Sequence, residues 1–151
     1  MGNGFKIERI TSVEILKQCA EVLSEAYNGP PWNERWTTGT AEAVLTCYYN
    51  SPEFMGWKAT SDNKIIGCGV GNIEPYYSGS VFYLRDLFVS VRSQKTGVGS
   101  CLVAAMKEDL AIIGIKTIIL FTNRAIFDFY LKCGFNEMAG MSLMNYTNKN
   151  N

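Results

Sequence analysis

Histidine is absent from these 151 residues. Its absence excludes His-ligated metal centres, Ser–His and Cys–His nucleophilic pairs, and an imidazole general base. The five cysteines, Cys19, Cys47, Cys68, Cys101 and Cys133, are odd in number and nowhere spaced CxxC. A disulfide framework or zinc knuckle is therefore not expected, and they read as small core residues in a reducing compartment, with no metal site. No apolar run reaches membrane-spanning length and no signal-peptide pattern opens the chain. Lys6 stands where a myristoylation signal wants Ser or Thr. The expected location is cytoplasmic, with no membrane partner. Net charge is also lacking, 14 basic residues against 14 acidic, so nothing points to nucleic acid. Repeats and long polar linkers are missing too. One domain over 1–151 is expected, with 1–4 and 147–151 as frayed tails.

What is present is a globular composition, 47% hydrophobic, with unevenly placed charge. Residues 1–90 hold 7 Lys and Arg against 10 Asp and Glu, and residues 91–151 hold 7 against 4. A basic half for an anionic ligand and an acidic half for a cation would give this asymmetry; so would chance scatter of surface charge.

The order of elements follows from periodicity. Phe5 to Ile10 reads as a strand. Ser12 caps a helix to about Tyr27, with Val13, Leu16, Ala20 and Leu23 inward. Asn28-Gly-Pro-Pro31 stops it, and Trp32-Asn-Glu-Arg-Trp36 is an aromatic loop. Thr38 or Thr40 opens a second helix to about Tyr49. Phe54 to Thr60 and Lys64 to Ile73 make a hairpin, followed by a loop carrying Tyr76 and Tyr77. Tyr83 to Val89 is a buried strand, and helical spacing of Val98, Leu102, Ala105, Met106, Leu110 and Ile113 predicts a long helix ended by Gly114. Lys116 to Phe121 is another strand, and Thr122 to Phe135 a short helix closed by Gly134. Phe135 to Glu137 and Met141 to Tyr146 read as a last antiparallel pair. Strands mixed with flanking helices make an α/β (α+β) layered domain.

Between the Tyr83–Val89 strand and the long helix lies Gln94-Lys-Thr-Gly97-Val-Gly99-Ser100. A helix start presents amides with no partner inside the helix, and its dipole favours an anion. Two glycines there admit a ligand to the backbone, so the turn suits a pyrophosphate; a plain helix cap is the other reading. Gly67-Cys-Gly69-Val-Gly71 is glycine-rich as well, but no helix follows it. There the glycines read as room for an approaching group or a bulge.

Gln94-x-x-Gly97-x-Gly99 after a strand, with Asn123 and Phe129-Tyr130-x-x-x-Gly134-Phe135 beyond, resembles the GNAT superfamily of N-acetyltransferases over about residues 81 to 137. Thr96 departs mildly from a position where that family often has a basic residue or glycine. The resemblance implies a single-domain acyl-CoA N-acyltransferase fold: a twisted, mixed, mostly antiparallel sheet of about six or seven strands, with about four helices, whose central strands splay apart. It implies acetyl-CoA as co-substrate, with pyrophosphate held by amides of Gln94, Lys95, Thr96, Gly97, Val98, Gly99 and Ser100, and Lys95 or Arg92 near the nucleotide phosphate. Pantetheine would lie along Leu87, Phe88 and Val89. Asn123, Phe127 and Tyr130 would complete the cofactor side, and Tyr130 would protonate the departing thiolate; a turn-capping Asn123 and helix-face aromatics packed on the sheet are the other readings. The acceptor implied is a small-molecule or peptide amine, which attacks directly in a ternary complex.

An ammonium must lose a proton before it attacks, and a carboxylate or water chain can take it. Where some relatives carry a catalytic Glu this chain has Tyr83. Asp86 and Glu34 are the candidate bases, with Glu74 a further substitute; a surface charge is the alternative for each. Tyr27, Trp32, Trp36, Tyr76 and Tyr77 could cage a cationic or apolar amine; a satellite core or a homodimer surface are equal alternatives. A catalytically idle acyl-CoA sensor, or an interaction module on the same fold, stays open beside the enzyme.

Overall fold

The computed structural model describes residues 4–149, and its backbone divides into two compact units, one through Leu120 and one from Phe121. The expected frayed ends fall partly on 1–3 and 150–151, outside the described residues. In the first unit the elements run β1 (Lys6–Arg9), α1 (Leu16–Asn28), α2 (Thr38–Tyr49), β2 (Phe54–Ser61), β3 (Lys64–Glu74), β4 (Val81–Val89), α3 (Val98–Ile112) and β5 (Ile118–Ile119). The sheet order is β1-β2-β3-β4-β5, antiparallel except for the parallel β4–β5 pair, giving the expected mixed, mostly antiparallel α/β architecture.

Helix α1 forms because Leu16, Cys19, Ala20, Leu23, Ala26 and Tyr27 recur on one face, and all six are buried. Ser12 does cap, but over a 3₁₀ turn, Val13–Ile15, that leaves Val13 half exposed rather than inward. Helix α2 starts at Thr38, the earlier of the two expected positions, behind a reciprocal Thr37–Thr40 capping box.

The glycines of β3 explain how the layers fit. Cys68 and Val70 point into a core with Leu16, Cys19, Leu23 and Leu45 of α1 and α2. Alternation then turns Gly67, Gly69 and Gly71 to the opposite face. A Cβ on Gly67 would meet Val98 and Leu102 of α3, and one on Gly69 would lie 2.9 Å from Met106. Trp57 sits directly across from Gly69, packs edge-on against Phe82, and donates its indole N–H to Asp109 of α3 at 2.7 Å. Missing side chains on β3 thus make space for an indole and a helix, and burying each such large side chain contributes about 1.5–3 kcal/mol.

Pairing of β3 with β4 slips by one residue: Val70 faces Asp86 but Gly71 faces Leu84, leaving Arg85 as the extra residue of a β-bulge. The slip reverses the strand's alternation. Before it, Phe82 faces Trp57 on the α3 side; after it, Phe88 lies in the core with α1, and Asp86 reaches Tyr27 of α1.

Five strands form among the described residues, where six or seven are expected. β5 is cut to two residues. The last antiparallel pair does not form: 136–149 hold no strand, and Met138, Met141, Leu143, Met144 and Tyr146 are exposed. Gly140, at φ +82°, is a turn, and Leu143-Met144 sets two apolar residues in succession, so neither face of the segment is consistently apolar. In the second unit a 3₁₀ turn, Arg124–Ile126, leads into α4 (Phe127–Lys132), later than the expected start at Thr122.

Candidate active site

The glycine turn follows β4 directly. Gly97 takes φ +91°, a left-handed conformation natural to glycine, and caps α3 with no side-chain hydrogen bond and no acidic residue in the first turn. The first intrahelical bond is from Cys101 N–H to Gly97 O at 3.0 Å, so the amides before Cys101 have no partner within the helix. A Cβ on Gly97 would enter open space. Gln94 ties the turn back to the strand through its amide and Val89 O, 3.1 Å, and Thr96 bonds Ser93 O. Lys95 and Ser100 are exposed, Gly99 half-buried and Val98 buried beneath the helix. Beside the turn a depression is lined by, among others, Asp62, Lys64, Arg92, Ser93 and Thr96. Such a corner has the donors, the basic rim and the backbone access that a diphosphate needs.

Among the described residues no strand pairs with β4 on its β5 side beyond Tyr83. Ser90 N–H bonds Ile66 O on the β3 side, so alternation points the Phe88 main chain that way and those of Leu87 and Val89 to the open edge. Their carbonyls are met there by side chains rather than a strand, Leu87 by the Tyr27 hydroxyl and Val89 by Gln94. Of the three positions implied for pantetheine, Leu87 and Val89 present their backbone to this edge and Phe88 does not.

On the α1 face the bulge delivers Asp86. The Tyr27 hydroxyl donates to its Oδ1 at 2.8 Å, and the Tyr48 phenol of α2 lies near enough that each group shifts the other's titration. Burial pushes the carboxyl up to about 6, the two hydroxyls pull it down, and the charge of Glu34 pushes it up. Burial, then the charge of Asp86, raises the Tyr48 phenol to about 12. Glu34 accepts from the Trp36 indole at 3.0 Å and its N–H bonds Tyr27 O, while Trp32 packs edge-on against Tyr27 with centroids 5.0 Å apart. The structure therefore gathers Tyr27, Trp32, Glu34, Trp36 and Asp86. Tyr76 and Tyr77 stand on an exposed turn with their rings tilted against each other, 4.7 Å between centroids. Glu74 is committed elsewhere, to Arg85 at 2.6 Å, and Arg85 in turn lies 3.6 Å over the Tyr83 ring.

Tyr48 is the residue that sequence reasoning missed. Its only signal was a second tyrosine beside Tyr49 at the end of a helix, which reads as packing. Within the second unit, Tyr130 is buried on α4, edge-on to Phe129 and Phe135. Asn123 caps the 3₁₀ turn by accepting from Ala125 N–H at 3.0 Å, and Phe127 lies under the Arg124 guanidinium. Among the described residues no three His, Cys, Asp or Glu side chains gather as a metal would need, and no helix is long and apolar enough to cross a membrane.

Comparison with known proteins bears on this geometry. An aminoglycoside acetyltransferase from an uncultured soil metagenomic sample, in complex with trehalose, superposes with a TM-score of 0.76 at 20% identity, over 96% of this chain and 97% of that one. The aminoglycoside N-acetyltransferase AAC(6')-Iy in complex with CoA gives 0.74 at 18% identity, over 99% and 97%. At these identities the likeness is one of fold. A curated relative, probable N-acetyltransferase 14 of Xenopus tropicalis, is 26% identical over 103 residues, 66% of this chain. The chain matches only half of that relative's length. The profile of the acetyltransferase (GNAT) family matches residues 16–135, across β2 to β4, the glycine turn and α4. The chain belongs to the acetyltransferase (GNAT) family.

Proposed function

We propose that this protein is an N-acetyltransferase that moves the acetyl group of acetyl-CoA to a small cationic amine. One observation carries the reading: a single strand, β4, runs at its end into the uncapped glycine turn and at its bulge turns Asp86 toward an acidic, aromatic cluster. The turn's amides, with Lys95 and Arg92 at hand, hold the diphosphate, and the Leu87 and Val89 backbone lines the pantetheine. When bound, acetyl-CoA supplies an activated thioester. Asp86 takes the proton of the acceptor ammonium, and the nitrogen lone pair so released attacks. Against an amine of pKa about 10 an ordinary carboxylate is a poor base; raising its pKa by two units makes that transfer roughly 3 kcal/mol less unfavourable. Glu34 contributes charge that favours a cation, and the Tyr27, Trp32 and Trp36 rings offer it faces and edges. The family resemblance assigns Tyr130 as the acid that gives its phenolic proton to the departing thiolate.

Release of CoA thiol with a panel of amines tests this, and the aminoglycosides acted on by the structural neighbours head the panel. Amine-dependent thiol release with acetylated product supports the reading. Acetyl-CoA binding without turnover on any amine would leave an idle sensor instead. Tyr130→Phe keeps the ring packing against Phe129 and Phe135, so kcat is expected to fall about 10- to 100-fold with KM for acetyl-CoA unchanged. A fully active Phe variant would leave Tyr130 with packing alone.

A further inference from the structure

Residues 29–37 join α1 to α2 and carry Trp32, Glu34 and Trp36. Holding such a loop in one shape is costly, because every residue fixed loses conformational entropy. Here the end of α1 holds it. Tyr27 O accepts from Glu34 N–H at 2.9 Å, and Gly29 O accepts from Asn33 N–H at 2.9 Å. Asn28 does more: its side-chain oxygen accepts from Trp36 N–H at 2.7 Å, and its side-chain amide donates to Trp36 O at 2.8 Å. Both main-chain groups of Trp36 are thereby satisfied, as a neighbouring strand would satisfy them, and a primary amide carries the acceptor and the donor this needs. Trp36 in turn gives its indole N–H to Glu34 Oε2 at 3.0 Å, and Thr37 directly after it caps α2.

These bonds close on themselves. From Asp86 they run through the Tyr27 hydroxyl at 2.8 Å, along α1 to Asn28, across to Trp36, and from its indole to Glu34, whose own N–H returns to Tyr27. Glu34 is exposed, and among the described residues no Lys or Arg pairs with it. An indole N–H orients a carboxylate without cancelling its charge.

We infer that Asn28 is the positioning residue of the acceptor site: by gripping both main-chain groups of Trp36 it holds Trp36 and Glu34 in the arrangement that presents a carboxylate and an aromatic ring together to a cationic amine. The inference rests on the reading of this cluster as the acceptor side. Asn28 acts through Trp36 rather than on the amine itself. A loop already ordered spares the acceptor the cost of ordering it, so the effect falls on acceptor affinity, and neither acetyl-CoA nor the chemical step depends on it.

The loop can be read directly. The chain holds three tryptophans, so ¹⁵N labelling gives three indole N–H signals, and the one lost in Trp36→Phe is assigned. Glu34→Ala shows where that signal lies with no carboxylate to accept it. In Asn28→Ala the signal is expected to move toward that place. Spermidine, a small polycationic probe followed by the shifts it induces in the indole signals, should bind about tenfold more weakly to the variant. For each amine turned over, KM for the amine should rise about tenfold while kcat and KM for acetyl-CoA stay within about twofold, a split that general loosening of the fold would not give. An unmoved Trp36 signal in a folded Asn28→Ala would overturn the inference. So would a moved signal with spermidine affinity and amine KM unchanged, which would leave Asn28 a purely structural tie. Should Asn28→Ala fail to fold, Trp36→Phe decides: it keeps a ring and loses the tie to Glu34, so weaker spermidine binding supports the inference and equal binding overturns it. A protein that binds spermidine as expected, loses that affinity in Asn28→Ala and acetylates no amine would retain the positioning role and remove the acetyltransferase reading.

Discussion

Asp86→Asn should lower kcat/KM by about 10²- to 10⁴-fold and at the same time stabilise the folded protein at neutral pH. The two effects share one cause. Burial lifts the carboxyl to about 6 in the folded state, above its ordinary value of 3.8. Protonation is therefore favoured by the fold, and the stability that goes with it is full below about pH 4 and lost as pH rises through 6. At pH 7.5 the ionised group costs folding about 2 kcal/mol, after allowing for its partial exposure, and a neutral amide of the same shape avoids that cost. The expected melting curves therefore separate at neutral pH, the variant higher, and converge toward pH 4. A variant less stable at every pH would mean that Asp86 is a structural anchor. Undiminished turnover would move the base elsewhere, with Glu34 next in line.

A comparable effect, on stability rather than rate, is expected at Gly71. A Cβ there would overlap the main-chain oxygen of Tyr83 and lie 2.7 Å from the Phe82 ring, and backbone cannot yield as a side-chain tip can. Gly71→Ala is expected to cost about 2–3 kcal/mol, a drop of roughly 5–10 °C in Tm. Gly39→Ala on α2 should go the other way by a few tenths of a kcal/mol, since nothing but the Thr37 hydroxyl comes within 4 Å. Because Gly71 sits across from the bulge, the Ala variant should also disturb the Tyr27–Asp86 hydrogen bond. An unchanged melting temperature would mean that β3 and β4 pair in another register.

Local chemistry made much of the fold readable. The strand, glycine turn and long helix are announced by β-branched and aromatic residues, then two glycines, then helical spacing from Val98. The β2–β3 hairpin and the inward face of α1 are equally plain, as is the reading of Gly67, Gly69 and Gly71 as room for an approaching group or a bulge. The bulge at Arg85 could not be placed. No glycine or proline marks it in β4, and its position depends on a register between strands that no single segment encodes. Tyr48 escaped for the same reason, since it comes near Asp86 only once the slip has turned that side chain to the helix face of the sheet. The aromatic set was half right as a cluster: Tyr27, Trp32 and Trp36 converge, whereas Tyr76 and Tyr77 find each other on an exposed turn. The segment 141–146 has strand-forming residues but no consistently apolar face to bury.

Holding acetyl-CoA at the start of α3 is the claim on which the rest depends, and calorimetric titration of acetyl-CoA tests it most directly. Gly97→Val fills open space at the ligand's approach and forces a β-branched residue to φ +91°. The wild-type protein is expected to bind one equivalent, and the variant, shown by circular dichroism to be folded, at least a hundredfold more weakly. Equal affinity in a folded variant would contradict the account.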